Sequence, residues 1–379
     1  MDIGIQKTIV FLFFIFIGVL LKVKFKSKEE ITGIKKVILN LALPATIFIA
    51  LLGVKVELHL LILPLLALGL NLLLFFSMPL ILPLMGIGKG TPEYRTAKLL
   101  VPSLAPGLSS FPFILEFLGD EYLAKAAMSD LGNKVFVLFF LYLVAMNWHY
   151  SLQSNEKRNG GTKLKPLIKA MISEPVNVFI AAALVLLAFG LHMDSLPFFL
   201  IETLEKLSLI MTPLVLLFIG LAVKIKRKQF FQIFSLLCTR AGLVLLITGI
   251  FVTIAGIEAR NEILLTMAFG LSACSFWPYA HIAAVDSLEM DKKSKRRTFS
   301  SDFGVAILAL SFPLSTMLIL ATLNSGAFFV NPFNIFMIAI ALLGVGLIIP
   351  LCSGISKKKW SEQKLIDHEI NATATEKAA

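Results

Sequence analysis

The sequence predicts an all-α integral membrane protein: two inverted five-helix repeats with broken, crossing spans 4 and 9, plus an extra C-terminal helix. Three observations predict it. Eleven apolar runs are long enough to cross a bilayer, basic residues alternate from one break between runs to the next, and two runs are interrupted by proline and glycine at matching places in the two halves.

The runs cover about 4–23, 36–53, 59–85, 96–118, 122–146, 174–191, 198–223, 230–256, 262–287, 300–323 and 333–354. Composition demands them. The 379 residues are 57% hydrophobic and only 16% charged, with a mean hydropathy of +0.86, whereas a soluble domain carries roughly 25% charged residues. This excludes disorder, a disulfide-stapled secreted module and an ordinary water-soluble enzyme. The first run lacks a basic n-region and a small-residue cleavage site, so it reads as a span rather than a cleaved signal. Cys238, Cys274 and Cys352 lie singly inside apolar runs and read as packed thiols. No Cys/His cluster has metal-ligand spacing, and no cofactor motif occurs.

The net charge of +11 takes its meaning from position. Of the 35 basic residues, 28 fall in alternate breaks, beginning with Lys22, Lys24, Lys26, Lys28, Lys35 and Lys36 and ending in the tail from Lys357. Because Lys and Arg are retained on the cytoplasmic side, this predicts a multi-pass protein of the cytoplasmic membrane, N-terminus outside and C-terminus inside. Nucleic acid is not the expected partner; the bilayer is.

The basic loop at 147–169 divides the chain into a first repeat (1–146, spans 1–5) and a second (170–323, spans 6–10). An additional span (324–356) and a cytoplasmic tail (357–379) follow. Five spans per half is an odd number, so the halves must be inverted. Short similarities recur in the same order. Leu43-Pro44-Ala45 matches Thr212-Pro213-Leu214, Gly107-Leu108-Ser109 matches Gly270-Leu271-Ser272, and Ser129-Asp130-Leu131-Gly132 matches Ser301-Asp302-Phe303-Gly304.

Span 4 contains Pro102, Pro106, Gly107, Ser109, Ser110 and Pro112. Span 9 contains Gly270, Ser272, Ser275 and Pro278. Proline removes a backbone donor and clashes with the preceding turn, so a continuous helix is not expected through span 4, and the Gly270–Pro278 stretch brackets the centre of span 9. Backbone freed at membrane depth must be satisfied by protein or water. Proline and glycine in either span alone read equally as a kink in a packed helix; matched interruptions in two halves point instead to a binding site between them, where half-helix ends meet a carboxylate or a cation.

Ionisable groups at depth are the remaining candidates. Asp130 and Lys134 share a face of span 5, beside Asn133. One reading is a structural ion pair; the other makes Asp130 the ion carrier and Lys134 a docking charge for an anion. Arg240 in span 8 either snorkels to the cytoplasmic face or meets an anion. Glu116 follows the span-4 break and is the second ion-coupling candidate. His281 reads as a packed ring or a titrating one, Lys206 and Glu202 as an interfacial pair, and Asn40 and Asn71 as helix-joining amides.

These residues carry a resemblance. Gly18-Val-Leu-Leu-Lys22, Asn40-Leu-Ala-Leu-Pro44-Ala45, Gly107-Leu-Ser-Ser-Phe-Pro112, Phe117-Leu-Gly119-Asp120-Glu121 and Trp277-Pro278 are similar to segments of the auxin efflux carrier family of membrane transport proteins. The resemblance covers residues 4 to 323. It implies ten core spans, crossed spans 4 and 9, and transport of a small organic anion, a carboxylate or auxin-like molecule. Ala105-Pro106 stands where the family usually has a polar residue before the span-4 glycine, and the eleventh span is additional.

The expected function is thus a secondary active transporter working by alternating access, with proton or sodium as coupling ion and a homodimer as one open assembly state. The substrate-binding candidates are Gly107, Ser109, Ser110, Pro112, Ser272, Ser275, Pro278, Asn133, Lys134 and Arg240. The alternatives are a sodium-coupled organic-anion symporter of the bile-acid type and a transporter-like sensor or channel. No catalytic constellation occurs at depth, so an enzyme is not expected.

Overall fold

Ser27 starts the first long helix with a capping box: its hydroxyl accepts from Glu30 N–H at 3.0 Å, and Glu30 returns the bond to Ser27 N–H at 3.0 Å. That cap sets the start of α2 (Lys28–Val37), which continues through a π turn (Ile38–Ala42) into α3 (Leu43–Leu52). Lys28, Lys35 and Lys36, expected in a loop, are therefore helical. The run begins about two turns earlier than hydropathy suggested, because the cap lies in polar sequence.

The computed structural model describes residues 3–25, 27–53, 62–152, 175–222, 230–291 and 297–348. The remaining helices are α1 (Ile3–Leu21), α4 (Leu63–Leu84), α5 (Pro92–Leu100), the single turn α6 (Pro106–Ser109), α7 (Phe111–Leu118) and α8 (Asp120–Val135). A second π turn (Phe136–Phe140) joins α8 to α9 (Leu141–Leu152). The later ones are α10 (Pro175–Ala188), α11 (Phe198–Leu209), α12 (Met211–Ala222), α13 (Phe230–Ile254), α14 (Arg260–Gly270), α15 (Phe276–Asp291), α16 (Ser301–Leu323) and α17 (Pro332–Ile348). Among the described residues no strand occurs. Most of the expected loop 147–169, Cys352 and the tail lie outside the described residues.

Among the described residues, six helices are long and apolar enough to cross a bilayer: Glu29–Leu52, Leu63–Leu84, Asp120–Leu152, Phe198–Leu221, Phe230–Ile254 and Ser301–Leu323. The other five expected runs are also helical. Ile9–Leu21, Pro175–Ala188 and Pro332–Ile348 are shorter, and runs 4 and 9 are divided by their breaks. The outer surface suits lipid: Phe13, Phe76, Leu80 and Met317 are 62%, 64%, 75% and 63% exposed. The chain is an all-helical protein of membrane type.

The helices sort into two bundles that meet where α3 packs on α8. In the first, α1 packs on α12, and both α10 and α11 pack on α3. In the second, α4 packs on α8, α5 on α16, α9 on α15, and α13 on α14 and α4. Small residues allow the closest approach in the first bundle. Gly18 of α1 faces Gly220 of α12, and a methyl on either would overlap the other helix's backbone. Gly220→Val is expected to separate this pair and cost about 1–3 kcal/mol through overpacking. A lowered thermal midpoint in detergent checks it; an unchanged midpoint would show that the close approach is dispensable.

Candidate functional site

Pro102 and Pro106 bracket the first break. α5 stops at Leu100, and the backbone is non-helical until α6 begins at Pro106. In the second break the chain leaves α14 after Gly270 and resumes helix at Phe276. The two stretches lie against one another and supply each other's missing bonds. Ala105 N–H donates to the Ala273 carbonyl at 2.8 Å. Ala273 N–H donates to Ser109 Oγ at 2.9 Å, and Ser275 N–H to Ser103 Oγ at 2.9 Å. Ser109 and Ser103 in turn donate to the Ala105 and Leu100 carbonyls, at 2.8 and 2.6 Å. Ser272 Oγ donates to the Phe269 carbonyl at 2.6 Å and lies 3.0 Å from Ser110 Oγ.

Two side chains from outside the breaks complete the crossing. Asn133 on α8 uses its whole amide. It donates to the Leu104 carbonyl at 3.0 Å and to Asp130 Oδ1 at 2.8 Å, and accepts from Leu104 N–H at 3.3 Å and Asn71 Nδ2 at 3.0 Å. It thus replaces both helical bonds that Leu104 lost. Arg240 on α13 donates from Nε to the Val101 carbonyl at 2.7 Å, and from Nη2 to the Ser103 and Ser272 carbonyls at 3.2 and 2.8 Å. It is 3% exposed and does not snorkel.

Beside this crossing lies a cavity of about 560 Å³, at the border between the two bundles. The second bundle contributes Leu104 to Leu108 from the first break and Ser275, Phe276, Trp277 and Tyr279 from the second, together with Asp130, Asn133 and Lys134. The first bundle contributes Lys35, Leu39, Asn40 and Leu43, with Val176 of α10. Its charges among the described residues are two lysines and one aspartate. Lys134 Nζ lies 3.5 Å from Asp130 Oδ2 and donates to Asn177 Oδ1 at 2.8 Å. Lys35 Nζ sits 3.6 Å above the centre of the Phe276 ring, a cation–π contact. α15 starts at this wall, so the positive end of its dipole faces the same space.

The sequence candidates divide accordingly. Gly107, Ser275, Asn133, Lys134 and Asp130 line the cavity. Ser109, Ser110, Ser272 and Arg240 do not; they are buried at the crossing, where Ser109, Ser272 and Arg240 bond backbone of the two breaks and Ser110 meets the Ser272 hydroxyl. Pro112 and Pro278 are buried in the first turns of α7 and α15 and do not line it either. Glu116 lies in a separate pocket with Lys7, whose ammonium donates to its carbonyl and lies 3.9 Å from its carboxylate. His281 is packed, donating from Nε2 to the Val137 carbonyl at 2.8 Å, a group within the second π turn. Lys206 and Glu202 pair at 2.8 Å on the surface. Asn71 joins α4 to α8, whereas Asn40 faces the cavity.

Sequence reasoning missed Lys35 and Ser103. Lys35 was one of a run of basic residues, and only helical phase separates it from Lys36, which is exposed. Ser103 stood between the two prolines without a motif to mark it.

The fold and this site define a class: an all-helical protein of membrane type with a cavity beside two interrupted, mutually bonded helices. Neither a scan against protein-family models nor a search of curated proteins finds a match to this chain.

Proposed function

We propose that the chain is a secondary active transporter that carries a small organic anion across the cytoplasmic membrane by alternating access. One observation carries the reading. The cavity lies between the two interrupted helices and between the two bundles, and its lining among the described residues has one more cation than anion. A substrate held there touches both bundles, so rocking one against the other would expose it first to one side and then to the other. Lys35 and the N-terminal end of α15 favour a carboxylate, and the apolar walls favour an organic body.

The inverted repeat belongs to this reading. Exchanging spans 1–5 with 6–10 turns the α1–α12 pair into the α10–α3 pair, and the α5–α16 pair into the α14–α8 pair, and all four are in contact. The resemblance to the auxin efflux carrier family, including an outside N-terminus and inside C-terminus, is proposed on the same footing. Asp130 is the proposed ion-carrying group, since it lines the cavity and its charge is shared with Lys134. Asp302 lies in the first turn of α16 and does not line the cavity, so the repeat does not duplicate this role.

Reconstituted into proteoliposomes, the protein is expected to accumulate at least one monocarboxylate from a broad panel when a pH or sodium gradient is imposed. No saturable flux across the panel would overturn the reading. Asp130→Asn is expected to leave anion binding in place while abolishing the gradient's effect. Gradient-driven accumulation equal to wild type in a folded variant would remove Asp130 from the coupling role.

A further inference from the structure

The guanidinium of Arg240 is buried, and no carboxylate among the described residues lies within ion-pairing distance of it. Its partners are three backbone carbonyls, Val101 and Ser103 from one break and Ser272 from the other. Those carbonyls lie just beyond the C-terminal ends of α5 and α14, so the negative ends of two half-helices converge on one positive charge. A cluster of carbonyl oxygens from two unwound segments, shielded from solvent, is the donor set from which monovalent cation sites are built in membrane proteins.

We propose that the crossing is a cation site whose ion is supplied by the chain itself. Arg240 does permanently what a bound monovalent cation would do, fastening the two interrupted segments into one unit that moves together. The planar fork suits the task, because separate N–H groups reach carbonyls on both segments at once. This proposal stands whether or not the protein transports an anion.

Three variants of the full chain, melted in detergent, test it. A buried charge that is merely tolerated should be replaceable by an apolar side chain of similar length without loss. A charge that completes a carbonyl site should not, because its removal orphans three acceptors. The expected order of thermal midpoints is wild type, then Arg240→Lys, then Arg240→Met, with the last falling by about 5 °C or more. Arg240→Ala leaves space as well as orphaned carbonyls. Its midpoint is expected to rise on adding low-millimolar guanidinium, far below the denaturing range. The same concentration of tetramethylammonium, which cannot donate a hydrogen bond, is expected to leave it unmoved, and wild type is expected to respond to neither. A Met variant as stable as wild type overturns the proposal. So does an Ala variant that guanidinium does not selectively restore. Should the Ala variant fail to fold, the Lys and Met order decides alone.

Discussion

Asn133→Ala is expected to cost about 4 kcal/mol, the largest stability loss of any single polar substitution around the cavity. The amide makes four hydrogen bonds, and two of them replace the helical partners of Leu104. Asn71, whose amide donates to it, loses that partner as well, and it is completely buried. A typical side-chain bond between membrane helices contributes less than 1 kcal/mol, so most of the expected loss comes from orphaned backbone rather than from the side chain. Thermal or denaturant unfolding in detergent checks this. A midpoint within a degree of wild type would mean that Leu104 finds other partners.

Lys35→Gln is expected to act in the opposite way, sparing stability and weakening anion binding about 30-fold, the equivalent of roughly 2 kcal/mol for one charge-assisted hydrogen bond. Its ammonium rests on the Phe276 ring at the cavity wall, so the fold loses little when it goes. Lys36→Gln serves as the control, because that side chain is exposed and does not line the cavity. Binding of the proposed monocarboxylate substrate, measured by uptake competition or calorimetry, separates the two. Equal affinities for the two variants would take Lys35 out of the binding site. Lys35→Arg is expected to keep most of the affinity, since it retains the charge.

Much of this architecture was legible in the residues. Outside the two breaks, each of the eleven apolar runs is helical where described, because burying backbone in hydrocarbon leaves a chain of this composition few other choices. The first break was legible for a local reason, the missing N–H groups of Pro102 and Pro106 within one short stretch; the second has only Pro278 beyond it, and α4 and α16 run unbroken through Pro79, Pro83 and Pro313. Helix starts set by polar caps were less so, as Ser27 and Glu30 show, because hydropathy sees only where the apolar sequence begins.

The roles of the polar residues were not legible to the same degree. Ser109 and Ser272 stand out in the sequence because they sit in the two breaks, and Arg240 because a charge at depth is costly. Cost alone does not say whether a ligand or the protein's own backbone repays it. Arg240 lies more than 130 residues from the Val101 and Ser103 carbonyls it holds and about 30 from Ser272, so its role depends on how three distant segments meet. The same holds for Lys35, whose place at the cavity is fixed by the phase of α2 and by Phe276 from the other bundle. By itself the sequence determined which segments are apolar helices and marked the two places where proline and glycine weaken them, since these follow from side-chain hydrophobicity and backbone sterics acting within a few residues. Only the tertiary structure decided which polar groups satisfy those breaks and which are left facing a cavity, since hydrogen-bond satisfaction is settled by contacts between segments far apart in the chain.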